Sequence, residues 1–132
     1  MSRVVALDYG VARCGVAVSD PTGVLATPLA AVERPGTRRG IARLVALVRE
    51  RDVDRVVVGL PLTLAGAEGT QAEESRAFAA RLADALPVPV DLHDERLTTR
   101  QAGRSGGRSS LDSRAAAHLL ESYLAARAGA RG

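Results

Sequence analysis

The sequence predicts an α/β fold built on a mixed five-stranded sheet with helices on both faces. Its predicted elements follow the order β-β-β-α-β-α-β-α, in which the early strands form a meander and the later strands alternate with helices. The run Val56-Val57-Val58 is wholly apolar, which is typical of a strand buried on both faces of a parallel sheet. With 132 residues, of which 46% are hydrophobic, the chain can form one core. We therefore expect a single domain over residues 1–132.

The first three strands are expected at about 3–8, 14–19 and 24–33, and the first two of these segments are rich in β-branched residues. Gly10 and Gly15 flank the turn between the first two strands, which indicates a hairpin. The third strand would continue this pair into a meander.

The helices are predicted from apolar spacing. A helix is expected at about 37–51, with Thr37 as its N-cap. Its apolar stripe follows the spacing i, i+3, i+4, i+7 and consists of Ile41, Leu44, Val45 and Val48. A second helix is expected at about 70–86, a strand at about 88–92, and a last helix from near Asp112.

Composition excludes several classes of protein. Aromatic residues make up only 2% of the chain, which disfavours a platform for stacking bases. The single cysteine, Cys14, excludes an intramolecular disulfide and a cysteine-based zinc site, and we expect it in the core. No apolar stretch approaches the roughly 18 residues of a membrane span, and the first apolar run breaks at Asp8 as no signal peptide would. We expect a cytoplasmic protein.

Positive charge is concentrated in the last third of the chain. All 18 basic residues are arginines. Residues 1–95 hold 11 arginines and 13 acids, a net charge of −2, whereas residues 96–132 hold 7 arginines and 2 acids, a net charge of +5. Such an excess is expected of a segment that contacts phosphates, and the alternative is a basic tail without a partner.

Asp8 stands where the first apolar strand ends and the glycine turn begins. Aspartate has a poor strand propensity, so its presence there needs a reason. One reason is turn chemistry, which Asp favours. Another is a metal-binding carboxylate on a rigid strand, with glycine beside it to let a substrate approach closely. This segment alone leaves both interpretations open.

Two further carboxylates stand at the ends of predicted elements, Glu95 just past the last strand and Asp112 at the start of the last helix. With Asp8 they would supply the hard oxygen ligands that two divalent metal ions need for phosphodiester hydrolysis. Open α/β sheets place sites at the carboxyl ends of strands, which suits Asp8 and Glu95. The alternatives are an exposed acid at Glu95 and a helix N-cap at Asp112. Asp94 also competes with Glu95 for the site.

Four segments along the chain carry recognisable motifs. They are residues 7–10 with 15–20, residues 58–62 with 66–69, residues 94–99, and residue 112 with 115–116 and 120–124. In this order they resemble the YqgF/RuvX family of pre-16S rRNA nucleases, which are also described as Holliday-junction-resolvase-like proteins. The resemblance covers essentially the whole chain.

The resemblance implies an RNase H-like fold and a nuclease site that depends on a divalent metal, Mg²⁺ or Mn²⁺. It implies that Asp8, Glu95 and Asp112 are the catalytic metal ligands. Arg13 and Arg96 lie inside the matched motifs and are expected to face phosphates. The chain departs from the family pattern at Thr63 and Ala65, where many relatives have Asn and Asp, and at His93, where an aromatic residue is frequent.

A basic segment precedes the last predicted helix. Arg100, Arg104 and Arg108 recur every four residues, but the glycines between them oppose a stable helix. We expect residues 103–110 to be flexible, and the three arginines to contact the phosphate backbone of a nucleic acid.

Several functions fit this sequence. The leading one is metal-dependent hydrolysis of phosphodiester bonds in the 5′-end maturation of pre-16S rRNA, a step of ribosome biogenesis. A nuclease for Holliday-junction, branched or single-stranded DNA would use the same residues, and 2′-hydroxyl recognition leaves no motif to separate the two. Junction cleavage would want two sites on a symmetric dimer, so monomer and homodimer both stay open. A non-catalytic nucleic-acid-binding assembly factor would have no reason to keep three carboxylates opposite phosphates.

Overall fold

The structure is a computed structural model that describes residues 3–62, 66, 68–95 and 108–131, with side chains in the last helix described from 113 to 128. Five strands form one sheet in the order β3-β2-β1-β4-β5. The elements in chain order are β1 (Arg3–Asp8), β2 (Arg13–Ser19), β3 (Ala26–Glu33), α1 (Arg38–Glu50), β4 (Val53–Leu60), α2 (Thr70–Ala85), β5 (Val90–Asp94) and α3 (Arg108–Arg131). The predicted order of elements and the mixed five-stranded sheet are confirmed.

Strands β1, β4 and β5 run in one direction. β1 pairs antiparallel with β2 but parallel with β4, and β4 pairs parallel with β5. The carboxyl ends of β1, β4 and β5 therefore lie at the same edge of the sheet. In this register Leu7 lies beside Val58, and Gly59 lies beside His93. Asp8, Gly59 and the residue that follows β5 consequently meet at that edge.

The sheet is covered on both faces, as the sequence predicts. One apolar cluster joins α1 and α2 to the sheet and includes Val5, Leu7, Val56, Val58, Leu44, Phe78 and Leu82. The other joins α3 to the opposite face and includes Val4, Ala6, Val57, Ala116, Leu120 and Tyr123. Cys14 is fully buried in the first cluster, as expected of a small core residue. None of the helices in the described part of the chain has the length and hydropathy needed to span a bilayer.

Polar contacts made by two side chains of α3, Ser113 and Tyr123, hold this helix on the sheet. The buried Ser113 hydroxyl accepts from the backbone N–H of Val16 at 3.4 Å and donates to the carbonyl of Leu29. Val16 adjoins an irregularity in the pairing of β2 with β3, so the hydroxyl occupies a gap in the ladder. Ten residues further on, the Tyr123 hydroxyl donates to the Asp91 carboxylate at 2.6 Å. The start of α3 is thereby held over β2 and β3.

The start of α3 differs from the prediction. The sequence predicts a helix from near Asp112 after a flexible stretch that includes Arg108, but α3 begins at Arg108. Arginine, serine and leucine all tolerate a helix, so the residues from Arg108 to Leu111 do not oppose this earlier start. Asp112 therefore lies inside the helix and not at its N-cap. Two strands are also displaced, since β3 begins at Ala26 and β5 spans Val90–Asp94.

The start of α1 depends on a close backbone contact. Thr37 is the N-cap, as predicted, and its hydroxyl accepts from the N–H of Gly40 at 3.1 Å. Gly40 is buried against the turn that follows β3, and a Cβ there would lie 2.6 Å from the Cα of Pro35. Any side chain at position 40 would push the helix away from this turn.

Gly40→Ala should therefore destabilise the protein, although alanine is the better helix former by about 1 kcal/mol. We expect the free energy of unfolding to fall by about 1–3 kcal/mol, because the overlap is with backbone atoms that cannot rotate away. Urea unfolding measures it. Ala46→Gly, at an exposed position of the same helix, gives the size of the propensity effect alone. A Gly40→Ala protein as stable as the parent would contradict the contact.

Candidate active site

Asp8 is the last residue of β1 and is half-buried. Its Cα partner on β2 is Gly15, and the turn between them is tight, since a Cβ on Gly10 would lie 2.8 Å from the carbonyl oxygen of Arg13. Glycine at position 10 therefore lets the chain reverse directly after the carboxylate. This position, at the end of a strand and before a tight turn, is compatible with both interpretations of Asp8, as a turn residue and as a metal ligand.

Glu95 follows β5 and folds back over the end of β4. A Cβ on Gly59 would lie 2.8 Å from Cγ, Cδ and Oε2 of Glu95, so the glutamate side chain occupies the space that any other residue at position 59 would fill. The contact brings the carboxylate inward from the end of β5 toward β4, the strand between β5 and β1.

The two carboxylates share a face of the sheet. Along β1, Val4 and Ala6 pack against α3, and by alternation Asp8 continues that series. Along β4, Val57 packs against α3, so Gly59 and the glutamate above it also belong to that face. This is the face over which Ser113 holds the start of α3.

The electrostatic state of Glu95 reflects this crowding. Burial raises the pKa of its carboxyl from the ordinary value of 4.5 to about 7, and the negative charges of Asp8 and Asp94 add to the rise. Desolvation and like charge both disfavour the ionised form. At neutral pH the glutamate therefore holds a proton part of the time, and a cation placed between the carboxylates would remove that proton.

These carboxylates border an open cleft of about 230 Å³. Its walls are the β1–β2 turn, the end of β4, the first turns of α2 and the residue after β5. The lining residues are Asp8, Tyr9, Gly10, Val11, Pro61, Gln71, Glu74, Ser75 and Glu95. Among the residues that the structure describes, Glu95 lines the cleft and Asp94 does not. The lining carries three carboxylates and no arginine from the described part of the chain.

The third predicted ligand, Asp112, lies in the first turns of α3, next to the anchored Ser113. Its side chain lies outside the described residues. Within the described residues no group of three or more His, Cys, Asp or Glu side chains is arranged to hold a metal ion. The structure thus brings Asp8 and Glu95 to one cleft and places the backbone of Asp112 on the helix over the same face.

The structure describes two of the five arginines that the sequence predicts to bind phosphate. Arg13 opens β2, opposite Glu33 on β3, and is half-buried. Arg108 opens α3, and only its backbone is described. Arg96, Arg100 and Arg104 lie outside the described residues, as do Thr63 and Ala65.

Sequence reasoning missed some residues that shape the site. In the sequence, Gly59 is recognisable only as a glycine in a predicted strand, and Ser113 only as a polar residue in a predicted helix. The space that Gly59 leaves for Glu95 and the anchoring of α3 by Ser113 depend on contacts between distant segments, so no local pattern reveals them. His93, which departs from the family pattern, contacts Tyr123 edge to face with ring centroids 5.6 Å apart. Its Nε2 also lies 3.0 Å from the Ser122 hydroxyl, so the imidazole packs against α3 in place of an aromatic ring.

A family model and several relatives match most of this chain. A family model described as "RuvX: Holliday junction resolvase" matches residues 2–126. A "Putative pre-16S rRNA nuclease" of Chloroflexus aurantiacus is 44% identical over 133 residues, covering 94% of this chain and 87% of the relative. A protein of the same name from Thermobifida fusca is 46% identical over 137 residues, covering 90% and 84%.

Solved structures resemble the fold. The chain matches "T. thermophilus RuvC in complex with Holliday junction substrate" with a TM-score of 0.65 and 18% identity, covering 98% of this chain and 97% of that one. It matches "Thermus thermophilus RuvC structure" with a TM-score of 0.62 and 16% identity, covering 96% of each. At this identity the likeness concerns the fold, and it confirms the predicted RNase H-like architecture.

Glu95→Gln should make the metal-free protein more stable above neutral pH. Because the pKa of Glu95 is higher in the folded than in the unfolded chain, the unfolded chain loses this proton first as pH rises from 4.5 to 7. The parent is therefore progressively destabilised across that window. Glutamine removes the effect, so the two proteins should unfold alike at pH 4.5 and differ by about 1–2 kcal/mol at pH 8, allowing for solvent screening.

Thermal melting in EDTA at several pH values measures this difference. Glu50→Gln, at an exposed position at the end of α1, is the control and should follow the parent. A constant difference between Glu95→Gln and the parent over the whole range would mean that Glu95 ionises normally.

Gly59→Ala should lower the pKa of Glu95, because a Cβ would push the carboxylate out toward water and away from Asp8. Titration of the glutamate carboxyl signals by NMR measures it. Gly69→Ala is the matched control, since a Cβ at that position meets nothing within 4 Å. An unshifted Glu95 titration in Gly59→Ala would show that the side chain is not held over the glycine.

Proposed function

This chain belongs to the RuvX family, and from that premise we propose that it is a nuclease that hydrolyses phosphodiester bonds at the cleft formed by Asp8 and Glu95. The observation that carries the proposal is the packing of Glu95 over Gly59. It directs a second carboxylate toward Asp8, although burial and the negative charges of Asp8 and Asp94 raise the pKa of Glu95 to about 7 and so oppose its ionisation. Stability alone does not favour such an arrangement, whereas binding of a cation does.

The donor set fits a divalent metal ion, which we propose to be Mg²⁺ or Mn²⁺. Carboxylate oxygens are the ligands that these hard ions prefer. Asp8 and Glu95 would hold the ion from the sheet, and Asp112 would complete the set from α3. When bound, the metal would polarise the phosphate and activate the attacking water. Catalysis by this group of three is our proposal for Asp8, Glu95 and Asp112.

The protein's own groups contribute position and proton balance. Asp8 ends β1 and Glu95 directly follows β5, so regular strands place both residues, and strands hold functional groups more rigidly than loops do. The Tyr9 ring packs on Phe78 with centroids 4.4 Å apart and forms a fixed wall of the cleft. Glu95 would give up its proton when a cation arrives, so binding of metal should release a proton near neutral pH.

We propose that the substrate is the precursor of 16S ribosomal RNA, cleaved during maturation of its 5′ end in ribosome biogenesis. The names of relatives at 44% and 46% identity support this substrate. Such an enzyme would work in the cytoplasm, where the ribosome is assembled. The description of the family model favours a second candidate, cleavage of Holliday-junction or other branched DNA, which would require a symmetric dimer. A non-catalytic assembly factor would bind nucleic acid without cutting it.

Asp8→Asn should abolish metal-dependent cleavage and leave the fold intact. Asparagine keeps the shape of the side chain but lacks the charge that holds a divalent ion, so we expect cleavage to fall at least roughly 100-fold, or about 2.7 kcal/mol of barrier. The assay offers precursor rRNA, single-stranded DNA and junction DNA, each with Mg²⁺, Mn²⁺ or EDTA. Asp84→Asn, at an exposed position of α2, is the control and should keep full activity.

The three nucleic-acid substrates in this assay distinguish the candidate functions. Cleavage of the rRNA precursor alone supports the leading proposal, and cleavage of junction DNA alone replaces it with the second candidate. Full activity of clean Asp8→Asn protein would remove Asp8 from the site. A parent that binds but never cuts would make the protein an assembly factor.

A further inference from the structure

A second cleft lies next to the first, and its lining is basic. It has a volume of about 450 Å³ and is formed where β3 turns into α1. Its lining residues are Glu33, Arg34, Thr37, Arg39 and Arg43. We call it the arginine cleft. Arg38, in the first turn of α1, adds a further exposed guanidinium beside it.

The arginine cleft is joined to the Asp8–Glu95 cleft by the β1–β2 turn. The backbone N–H of Arg34 donates to the carbonyl of Ala12 in that turn at 2.8 Å. On the other side, the Tyr9 hydroxyl lies 3.5 Å from the position of a Cβ on Gly36. Residues 9–11 line the acidic cleft, so the turn that borders this cleft also contacts the segment that forms the arginine cleft.

Stability does not explain these arginines. The positive end of a helix dipole lies at its N-terminus, where cations are unfavourable, yet Arg38 and Arg39 are the first two residues of α1 and no acid stands in its first turn. Arg34 adopts a φ of 46°, a region that non-glycine residues seldom enter. All four arginines are exposed, and within the described residues none forms an ion pair. Glu33 is the one acid in the lining, so the cleft keeps a net positive charge.

The negative charge of the acidic cleft has to be offset by a basic surface nearby if a nucleic acid is to bind. Three carboxylates line the acidic cleft and would repel the phosphates of any nucleic acid, so attraction has to come from nearby. Arginine binds phosphate oxygens in pairs and keeps its charge at every relevant pH. The arginine cleft is a basic surface that described contacts join to the acidic cleft through the β1–β2 turn.

We propose that the arginine cleft binds the phosphate backbone of the nucleic-acid strand whose scissile bond lies in the Asp8–Glu95 cleft. This inference rests on the proposed nuclease function, since it identifies how the same site holds its substrate. Contacts of this kind position a strand without reading its sequence. The arginine cleft therefore fixes register and orientation, and it treats RNA and DNA of one sequence alike.

The test is a binding measurement with Arg39→Gln/Arg43→Gln. The two residues are four positions apart on one face of α1 and both line the cleft, and glutamine keeps the helix propensity while it removes the charge. The control is Arg49→Gln/Arg51→Gln, which removes the same charge at the other end of α1. Fluorescence anisotropy follows labelled single-stranded RNA and DNA of the same sequence in EDTA, so that no cleavage occurs, over a series of salt concentrations.

We expect Arg39→Gln/Arg43→Gln to bind both strands about tenfold more weakly at low salt. The slope of log affinity against log salt should fall by about 1.4, because each lost contact to a single strand removes about 0.7. The control should bind like the parent. The melting temperature of Arg39→Gln/Arg43→Gln should equal or exceed that of the parent, because a cation has left the helix N-terminus. Lower affinity with undiminished stability is a pattern that a structural role would not produce.

Three results would overturn the proposal. The first is an unchanged salt slope in Arg39→Gln/Arg43→Gln. The second is an equal loss of affinity in the control, which would indicate that net charge alone matters. The third is a parent protein that binds polyglutamate but neither RNA nor DNA, which would indicate an acidic protein partner. If Arg39→Gln/Arg43→Gln unfolds, Arg43→Gln alone decides with an expected slope change of about 0.7. Binding is measured in EDTA, where no cleavage occurs, so its result does not depend on the cleavage assay of Asp8→Asn. The inference about the arginine cleft and the proposed nuclease function can therefore fail separately.

Discussion

The parallel pairing of β4 between β1 and β5 is the constraint on which the candidate site depends. It sets the ends of three strands at one edge, with Asp8 on the first, Gly59 on the second and Glu95 just past the third. The alternation of side chains then puts all three on the face covered by α3. A slip of one residue in either pairing would send a carboxylate to the opposite face.

Two features of the molecule carry a cost in stability, and they lie on either side of one turn. Glu95 is partly buried beside like charges, which raises its pKa to about 7. The first two residues of α1 are arginines at the positive end of the helix dipole. Folding alone favours neither feature. A cation would stabilise the first and an anion the second, and a nuclease acting on phosphates with a bound metal brings both.

The positions of α3 and the cleft are linked by small polar groups. Ser113 fills an irregularity between β2 and β3, and Tyr123 reaches Asp91 on β5, so the helix spans the sheet from one side to the other. The described polar contact closest to Asp112 is that of the adjacent Ser113. Ser113 therefore helps to set the position of the first turns of α3, and with it the backbone of Asp112.

The sequence by itself determined the element order, the two covered faces, the N-cap of α1 and the strand end at Asp8, because each depends on neighbours within a few residues. It also identified the family from four short segments. Other features only the tertiary structure decided. Gly59 and Glu95 are distant in the chain, so their packing appears only when β4 and β5 pair. Likewise, the four arginines in and beside the arginine cleft lie within ten residues of one another in the sequence, but only the structure shows that this segment contacts the β1–β2 turn and so lies beside the Asp8–Glu95 cleft. The physical reason is that local patterns depend on neighbours along the chain, whereas strand pairing and helix packing decide which distant segments meet.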